Sequence, residues 1–372
     1  MATSSNEEED YHLQYALQLA SASTLPMVFK AVIELGVLEI IEKAGPGALL
    51  SASQIASQLP TQNNPDAPIV LDRILCLLAS HSILTCSLAT ENQDSDQVQR
   101  LYGLAPVAKY FIKKEDGGSL SPYFLVIQDK VTVDLWYHLK DVILQGGALF
   151  QKAYGMSSME YVKKDPRFGE VFSGFVKGFN PLFMKRILDI YDGFEGLTSL
   201  VDVGGGNGSV LNMIISKYPA IKGINFDLAP VIENSPSYPG IEHVAGDVFL
   251  TIPKGEAIFM KWVSHFWNDE NFLKVLKNCY EALPDTGKLI VVEMVIPEIP
   301  GTSGADRSLL QNYLFVTNMN PKRNERTEKE FERLAKGAGF SHLRVACSAC
   351  SFSVVEFIKK KATASTAATA AK

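Results

Sequence analysis

His265 is the residue from which a reaction can be built. It lies in Lys261-Trp262-Val263-Ser264-His265-Phe266-Trp267-Asn268-Asp269, directly after the apolar run AIFM from Ala257, so it sits beyond the end of a strand. Imidazole changes charge near neutrality, which suits it to take a proton from a weak acid such as a phenol, pKa about 10. A lone histidine is more often structural. It gains chemical meaning with a carboxylate that fixes its tautomer and stabilises the imidazolium. Glu293, closing the run KLIVVE, and Glu325, in Asn324-Glu325-Arg326-Thr327, are the candidates.

A second constellation addresses a nucleoside. VDVGGGNG, from Val201 to Gly208, runs a buried strand into a glycine-rich turn, where a ligand can approach the backbone closely. Ser209 stands where the dinucleotide fingerprint needs its last glycine, and no phosphate-loop lysine follows, so the pattern suits a sulfonium cofactor without phosphate. The next strand ends in Asp227, nineteen residues beyond Gly208, where a carboxylate can accept both hydroxyls of a ribose. The third ends in Gly246-Asp247-Val248, an acid for an adenine amino group followed by an apolar cover for its face. Taken singly, each acid is equally a loop residue or helix cap. Together, three consecutive strand ends serve one ligand, and transfer of a methyl group to an oxygen then needs an oriented nucleophile, a removed proton and a dry pocket.

These residues need a scaffold that gathers strand ends. At 372 residues the chain exceeds one ordinary core, and two domains are expected. From 196 to 360, strand-like runs (LTSLVDV, KGINFD, IEHVA, EAIFMK, KLIVVE) alternate with helical segments, which predicts a doubly wound parallel sheet, α/β and Rossmann-like. Ahead of it, Leu13, Ala16, Leu17 and Ala20, then Ile33, Val37, Leu38 and Ile41, recur at helical spacing. A further helix from Pro65 precedes two strands, 83–87 and 100–104, around a loop from Leu88 to Gln99. Helices then a hairpin describe a winged-helix-like module over 11–118. Its helices are poor in Lys and Arg, so its apolar surface fits the pairing of two subunits better than DNA. The helical stretch 119–195, rich in aromatics such as Tyr123, Trp136, Phe172 and Phe179, belongs to the core or lines a pocket for a flat ring. Residues 1–10 and the tail from 361 to 372 carry no pattern and are expected to lack order.

Composition narrows the function classes. A net charge of −6 opposes general nucleic-acid binding, and no run of about 18 apolar residues could span a bilayer. The start MATSSNEEED lacks the basic and apolar regions of a secretory leader, so a cytoplasmic location is expected. Five scattered cysteines read as reduced thiols; Cys347 and Cys350 have CxxC spacing without a second pair and are taken as packing, with no metal site.

The same motifs carry a family resemblance. ALQLASASTLPMV, DPRF, LVDVGGGNG, GINFDL, HVAGDVF, FMKWVSHFW, NCYEALP, ERTEKEFERLAKGAGF and VVEFIKK, spread from Ala16 to Lys360, resemble the caffeic acid O-methyltransferase type of plant small-molecule methyltransferases. The resemblance implies an N-terminal dimerisation domain, a homodimer, S-adenosylmethionine (SAM) as cofactor, no metal, and methylation of phenylpropanoid or related hydroxyls. It assigns cofactor binding to Gly204, Asp227, Asp247, Val248 and Lys261, with Asp202 and Leu228 beside them, although Lys261 could simply end a strand. It makes His265 the base, flanked by Glu293 and Glu325, and puts Phe172, Val176, Phe266, Trp267 and Asn320 on the acceptor side.

Departures from the family pattern cluster on that acceptor side. Phe266 stands where the family has aspartate after the histidine, Lys177-Gly178-Phe179-Asn180 replaces a polar stretch, and 316–324 replaces a glycine-rich turn. A more apolar pocket points away from caffeic acid, towards a less hydroxylated phenylpropanoid or an alkaloid, coumarin or polyketide phenol. The rival reading is a protein that keeps the fold but has lost methyl transfer, serving as a non-methylating catalyst or binding subunit.

Overall fold

The computed structural model describes residues 2–89, 99–320 and 324–359, and it turns the early apolar repeats into helices. In order come α1 (Ala2–Ala20), α2 (Thr24–Glu34), α3 (Val37–Lys43), β1 (Leu50–Ser51), α4 (Ala52–Ala56), α5 (Ala67–Ser80), β2 (Leu84–Leu88), β3 (Arg100–Leu104), α6 (Ser121–Ile127) and α7 (Lys130–Tyr137). Four more helices follow: α8 (Leu139–Gln145), α9 (Leu149–Tyr154), α10 (Ser158–Lys164) and α11 (Pro166–Ile190). The chain divides into two units, one built from residues up to Tyr137 with Val162–Phe179, the other from His138–Tyr161 and everything from Asn180 on. Residues 119–195 therefore form no unit of their own. The dividing point falls inside the 25-residue α11, one residue before Pro181, which cannot donate to the helical ladder.

In the first unit, Phe29, Val32, Leu38, Ile41, Ile55, Leu71, Leu75 and Leu78 form the core. Ser51 caps α4 in a reciprocal box with Gln54. The strands form a sheet of order β1-β3-β2, with Leu84 opposite Leu104 and Leu88 opposite Arg100. Asp72 of α5 accepts hydrogen bonds from Tyr102 Oη and Arg100 Nη1, each at 2.7 Å, which fixes this hairpin to the helix. Of the expected loop between the strands, residues 90–98 lie outside the described residues, as does the tail from 360. The first ten residues, expected to lack order, are helical from Ala2, because Glu7–Glu9 are good helix formers and α1 needs no core to take that backbone. Its residues Tyr11, Leu13, Leu17 and Leu19 face outward. Among the described residues no single helix is long and apolar enough to cross a membrane, although the bent pair 7–20 and 24–34 meets that length and composition together.

The second unit continues with β4 (Ser199–Val203), α12 (Ser209–Lys217), β5 (Lys222–Asp227), α13 (Ala229–Ile232), β6 (Ile241–Ala245), β7 (Ala257–Lys261), α14 (Asp269–Ala282), β8 (Lys288–Glu293), α15 (Gly304–Met319), α16 (Glu328–Ala338), β9 (His342–Ala349) and β10 (Phe352–Ile358). Its sheet has the order β6-β5-β4-β7-β8-β10-β9. Strands β4 to β8 pair in parallel, and β10 runs antiparallel to both β8 and β9. The chain leaves β4 to one side for β5 and β6, then returns to the other side for β7 and β8. Such a reversal opens a crevice beyond the carboxyl ends of β4 and β7. Val201, Val203, Ile258, Met260, Leu289 and Val291 from the strands pack with Phe272, Leu276, Phe331 and Leu334 from α14 and α16.

Cys350 and Ser351 form the turn between β9 and β10, both at positive φ (52° and 69°), as a two-residue hairpin requires. The CxxC spacing thus straddles a strand end and its turn. On β10, Glu356 is buried at 1% exposure. Tyr191 Oη and Lys288 Nζ donate to it at 2.6 and 2.8 Å, and Arg344 Nε reaches its other oxygen. Burial alone would raise its pKa, but these three donors more than reverse that, so the carboxyl titrates below its ordinary range.

Glu356→Gln leaves Lys288 and Arg344 without their counter-charge and is expected to cost about 2–3 kcal/mol, tempered because Arg344 is half exposed. Urea unfolding at neutral pH measures this, and an unchanged midpoint would mean the cluster adds nothing to stability. A depressed native pKa stabilises above the unfolded value of about 4.3, so this contribution should disappear as pH falls below that value.

Candidate active site

The site in the second unit starts from β4, whose apolar residues fill the core and whose last turn delivers Gly204 to the sheet edge. Gly204 has φ +72°, and a Cβ there would lie 2.7 Å from Val263 Cγ1. At Gly205 a Cβ would fall 2.1 Å from Asn225 Oδ1 and 2.6 Å from Asp202 Oδ2. Both positions exclude a side chain. The turn is stitched to β5: Gly204 N donates to Phe226 O at 2.8 Å, Gly206 N to Asp227 Oδ2 at 2.9 Å, and Asn225 Nδ2 to Gly206 O at 2.9 Å. Asp227 also accepts the Leu228 amide at 2.7 Å, and the Leu228 side chain is exposed beside it. At the end of β6, Asp247 Oδ1 accepts the Phe249 amide at 2.9 Å, which makes a tight turn and leaves Val248 packed against the core.

Lys261 ends β7. Its Nζ donates to Asn180 Oδ1 at 2.9 Å and lies 3.2 Å from the centre of the Trp262 ring. Burial lowers its pKa against the attraction of Asp202 and Glu293, and burial likewise raises that of Asp202 on β4. Asp202 Oδ2 is buried without a hydrogen-bond partner. Trp262 takes φ 57°, a conformation that costs a bulky residue energy and persists only where packing enforces it. Its ring packs in a cluster with Phe183 and Phe352, centroids at 5.5 and 4.8 Å, and those two rings also meet each other at 5.2 Å.

That turn delivers Ser264–Phe266 as one turn of 3₁₀ helix. His265 and Glu293 are each 2% exposed. His265 Nδ1 lies 3.1 Å from Glu293 Oε2 and 3.2 Å from Oε1, and the Ser264 amide donates to Oε1 at 2.9 Å. His265 Nε2 is buried and has no hydrogen-bond partner. The Asn324 amide donates to His265 O at 2.8 Å, which brings the segment of Glu325 against the histidine turn. Phe266 is 58% exposed, its ring centroid 4.3 Å from that of His265.

The structure thus brings Asp202, Gly204, Asp227, Leu228, Asp247, Val248, Lys261, His265 and Glu293 to the same edge of one sheet, with Glu325 beside the histidine turn. Trp267, expected towards the acceptor, is partly buried, stacks on Phe272 and packs against the core cluster. Asn320 caps the end of α15 through its amide to Val316 O. Phe172 and Val176 belong to the first unit, where Phe172 packs edge-on to Phe175 and Val176 is exposed. Sequence reasoning missed Asn180, Asn225 and Arg326, polar residues whose partners lie far away in the chain. Only Arg326 carried a signal, as a cation between an acid and a helix-capping Thr327.

An orphaned buried carboxylate oxygen, a turn that admits no side chain, and two acids at neighbouring strand ends fit an adenosyl group carrying a cationic sulfur. This set, at the switch point of a β6-β5-β4-β7-β8-β10-β9 sheet, defines a nucleoside-binding α/β enzyme of the methyltransferase class. Comparison with known proteins agrees. Residues 136–341 match the O-methyltransferase domain and 17–114 the O-methyltransferase dimerisation domain. The chain is 58% identical to caffeic acid 3-O-methyltransferase 1 of Populus tremuloides, over 95% of this chain and 96% of that one. It is 58% identical to caffeic acid 3-O-methyltransferase of Medicago sativa, over 93% and 94%. To O-methyltransferase 13 of Lophophora williamsii it is 57% identical, over 95% and 96%. Among solved structures it shares the fold of CalO1, a methyltransferase of calicheamicin biosynthesis in its SAH-bound form, with TM-score 0.75 and 21% identity over 94% of this chain and 99% of that one. The chain belongs to the O-methyltransferase family of the caffeic acid O-methyltransferase type. It is a SAM-dependent O-methyltransferase that carries the family's dimerisation domain.

Gly204→Ala should destabilise the protein by about 1–3 kcal/mol, from the left-handed backbone and the Val263 contact together. Adding Val263→Ala should recover part of the loss in a thermal scan. Full retention of stability by the single variant would contradict the crowding.

Proposed function

We propose that this enzyme methylates a phenolic hydroxyl on a small aromatic metabolite, with His265 as the base that removes the hydroxyl proton. The observation that carries this reading is the pairing of His265. Glu293 accepts from Nδ1, which assigns the proton to that nitrogen and leaves the Nε2 lone pair buried, unengaged and basic. The developing imidazolium is stabilised by the Glu293 carboxylate, itself held by the Ser264 amide. Glu325 flanks the same turn. A phenol of pKa about 10 is a poor nucleophile at neutral pH until its proton is taken, which is the service His265 provides. SAM, when bound, supplies an electrophilic methyl group on a positively charged sulfur.

Asp227 and Asp247 would receive the ribose hydroxyls and the adenine amino group, Leu228 and Val248 would cover the base, and the Gly204 turn would lie along the ligand. Asp202 and Lys261 would meet the polar end of the methionine moiety. Phe266, exposed beside His265, and Asn320 would face the acceptor, and two copies of the chain would pair through the dimerisation domain. Two of the relatives named above, those of Populus tremuloides and Medicago sativa, act, by name, on caffeic acid. Phe266 puts an apolar ring beside the base, which favours an acceptor with fewer hydroxyls: a phenylpropanoid, alkaloid, coumarin or polyketide phenol.

A mass-spectrometric screen of these classes with SAM tests the reading, methylated product and S-adenosylhomocysteine being required together. Cofactor binding without product from any acceptor would favour a non-methylating role. His265→Ala should lower turnover about 10²–10⁴-fold with SAM affinity little changed, the range for loss of a general base; unchanged turnover removes His265 from the chemistry. Phe266→Asp should shift the acceptor ranking towards catechols, and an unaltered ranking would mean that Phe266 does not select substrate.

A further inference from the structure

Arg326 is the largest of the fully buried side chains among the described residues, at 2% exposure. A guanidinium taken out of water persists only where its donors find acceptors. Nε donates to Asp269 Oδ1 at 3.0 Å, Nη1 to Ser264 O and to Asn324 O at 3.1 Å each, and Nη2 to Trp267 O at 2.7 Å. The Phe272 ring lies 4.6 Å from the guanidinium carbon, and Asp269 also pairs with Arg333. Two of these acceptors, Ser264 O and Trp267 O, bracket His265 and Phe266. A third belongs to Asn324, whose own amide holds His265 O. The carbonyl of Arg326 in turn accepts the Ile296 amide at 3.0 Å, three residues beyond Glu293. One residue therefore joins the segments that carry His265, Glu293 and Glu325. Charge alone does not require this arrangement. It uses the planar fork of donors that lysine lacks.

We propose that Arg326 is a positioning residue for methyl transfer: its guanidinium locks the 264–267 turn to the 324–326 loop and so holds His265 Nε2 in place for the acceptor's proton. The inference rests on His265 being the base. A displacement of about 1 Å in a reacting group can cost about 10²-fold in rate. Arg326→Lys, which keeps the charge and loses the fork, should therefore lower kcat about 10–100-fold while the acceptor KM and the SAM Kd change less than about threefold.

The decisive comparison uses phenol and 4-nitrophenol, acceptors with a single hydroxyl, at mildly alkaline pH, where the nitro compound is already ionised and needs no base. Arg326→Lys and His265→Gln should both lose most of their activity on phenol and far less on 4-nitrophenol. Asp269→Asn, which loosens the guanidinium without removing it, should show the same selectivity at smaller size and serves if Arg326→Lys does not fold. Equal losses on both acceptors for the Arg326 and Asp269 variants, with His265→Gln still selective, would overturn the positioning role and leave the base intact. Equal losses for His265→Gln as well would overturn the base, and the positioning of it with it.

Discussion

A carboxylate with 2% exposure is tolerable only if its oxygens are bonded, and Glu293 sets this condition for everything around His265. The Ser264 amide and the imidazole supply those bonds, so the turn after β7 must lie over the end of β8. To reach that place the backbone passes through a left-handed Trp262, whose ring packs in one cluster with Phe183 and Phe352. The strain at Trp262 and the burial of Glu293 are two sides of one arrangement. The first aims the turn, and the second rewards it with hydrogen bonds.

The sheet supplies the other half. Because the strand order reverses between β4 and β7, the glycine turn and the histidine turn emerge next to each other with no helix between them. Val263 fills the space beneath Gly204, so the two turns are also in contact, and any side chain at Gly204 would disturb both. Asn225 and Asp227 then fix the glycine turn from the β5 side, each spending a side chain on backbone groups that β4 leaves unpaired.

The glycine turn and the histidine turn are built differently. At the ends of β4 and β5, acid, amide and glycine backbone bond to one another and leave little room for change. Beside His265, Phe266 stands where the resemblance implies an acid and is exposed. A residue in that position can vary without unfolding anything, because it takes no part in the core.

Much of this was present in local sequence. Alternating runs gave β4 to β8, and the polar residue closing each run placed Asp227, Lys261 and Glu293 at one edge; side-chain periodicity is a property of a few neighbouring residues and survives into the fold. The hairpin of the first unit was legible for the same reason. What tertiary structure alone decided are the pairings between distant positions. Arg326 meets Ser264 across 62 residues, Lys261 meets Asn180 across 81, and Tyr191 meets Glu356 across 165. Trp267 had no partner in view until the fold stacked it on Phe272, and 119–195 could have stood alone until the two units divided it. Sequence determines which residues reach a strand end, because spacing along the chain is local. Which of them touch is set by packing, because burial forces each polar group to find a partner wherever the fold has brought one.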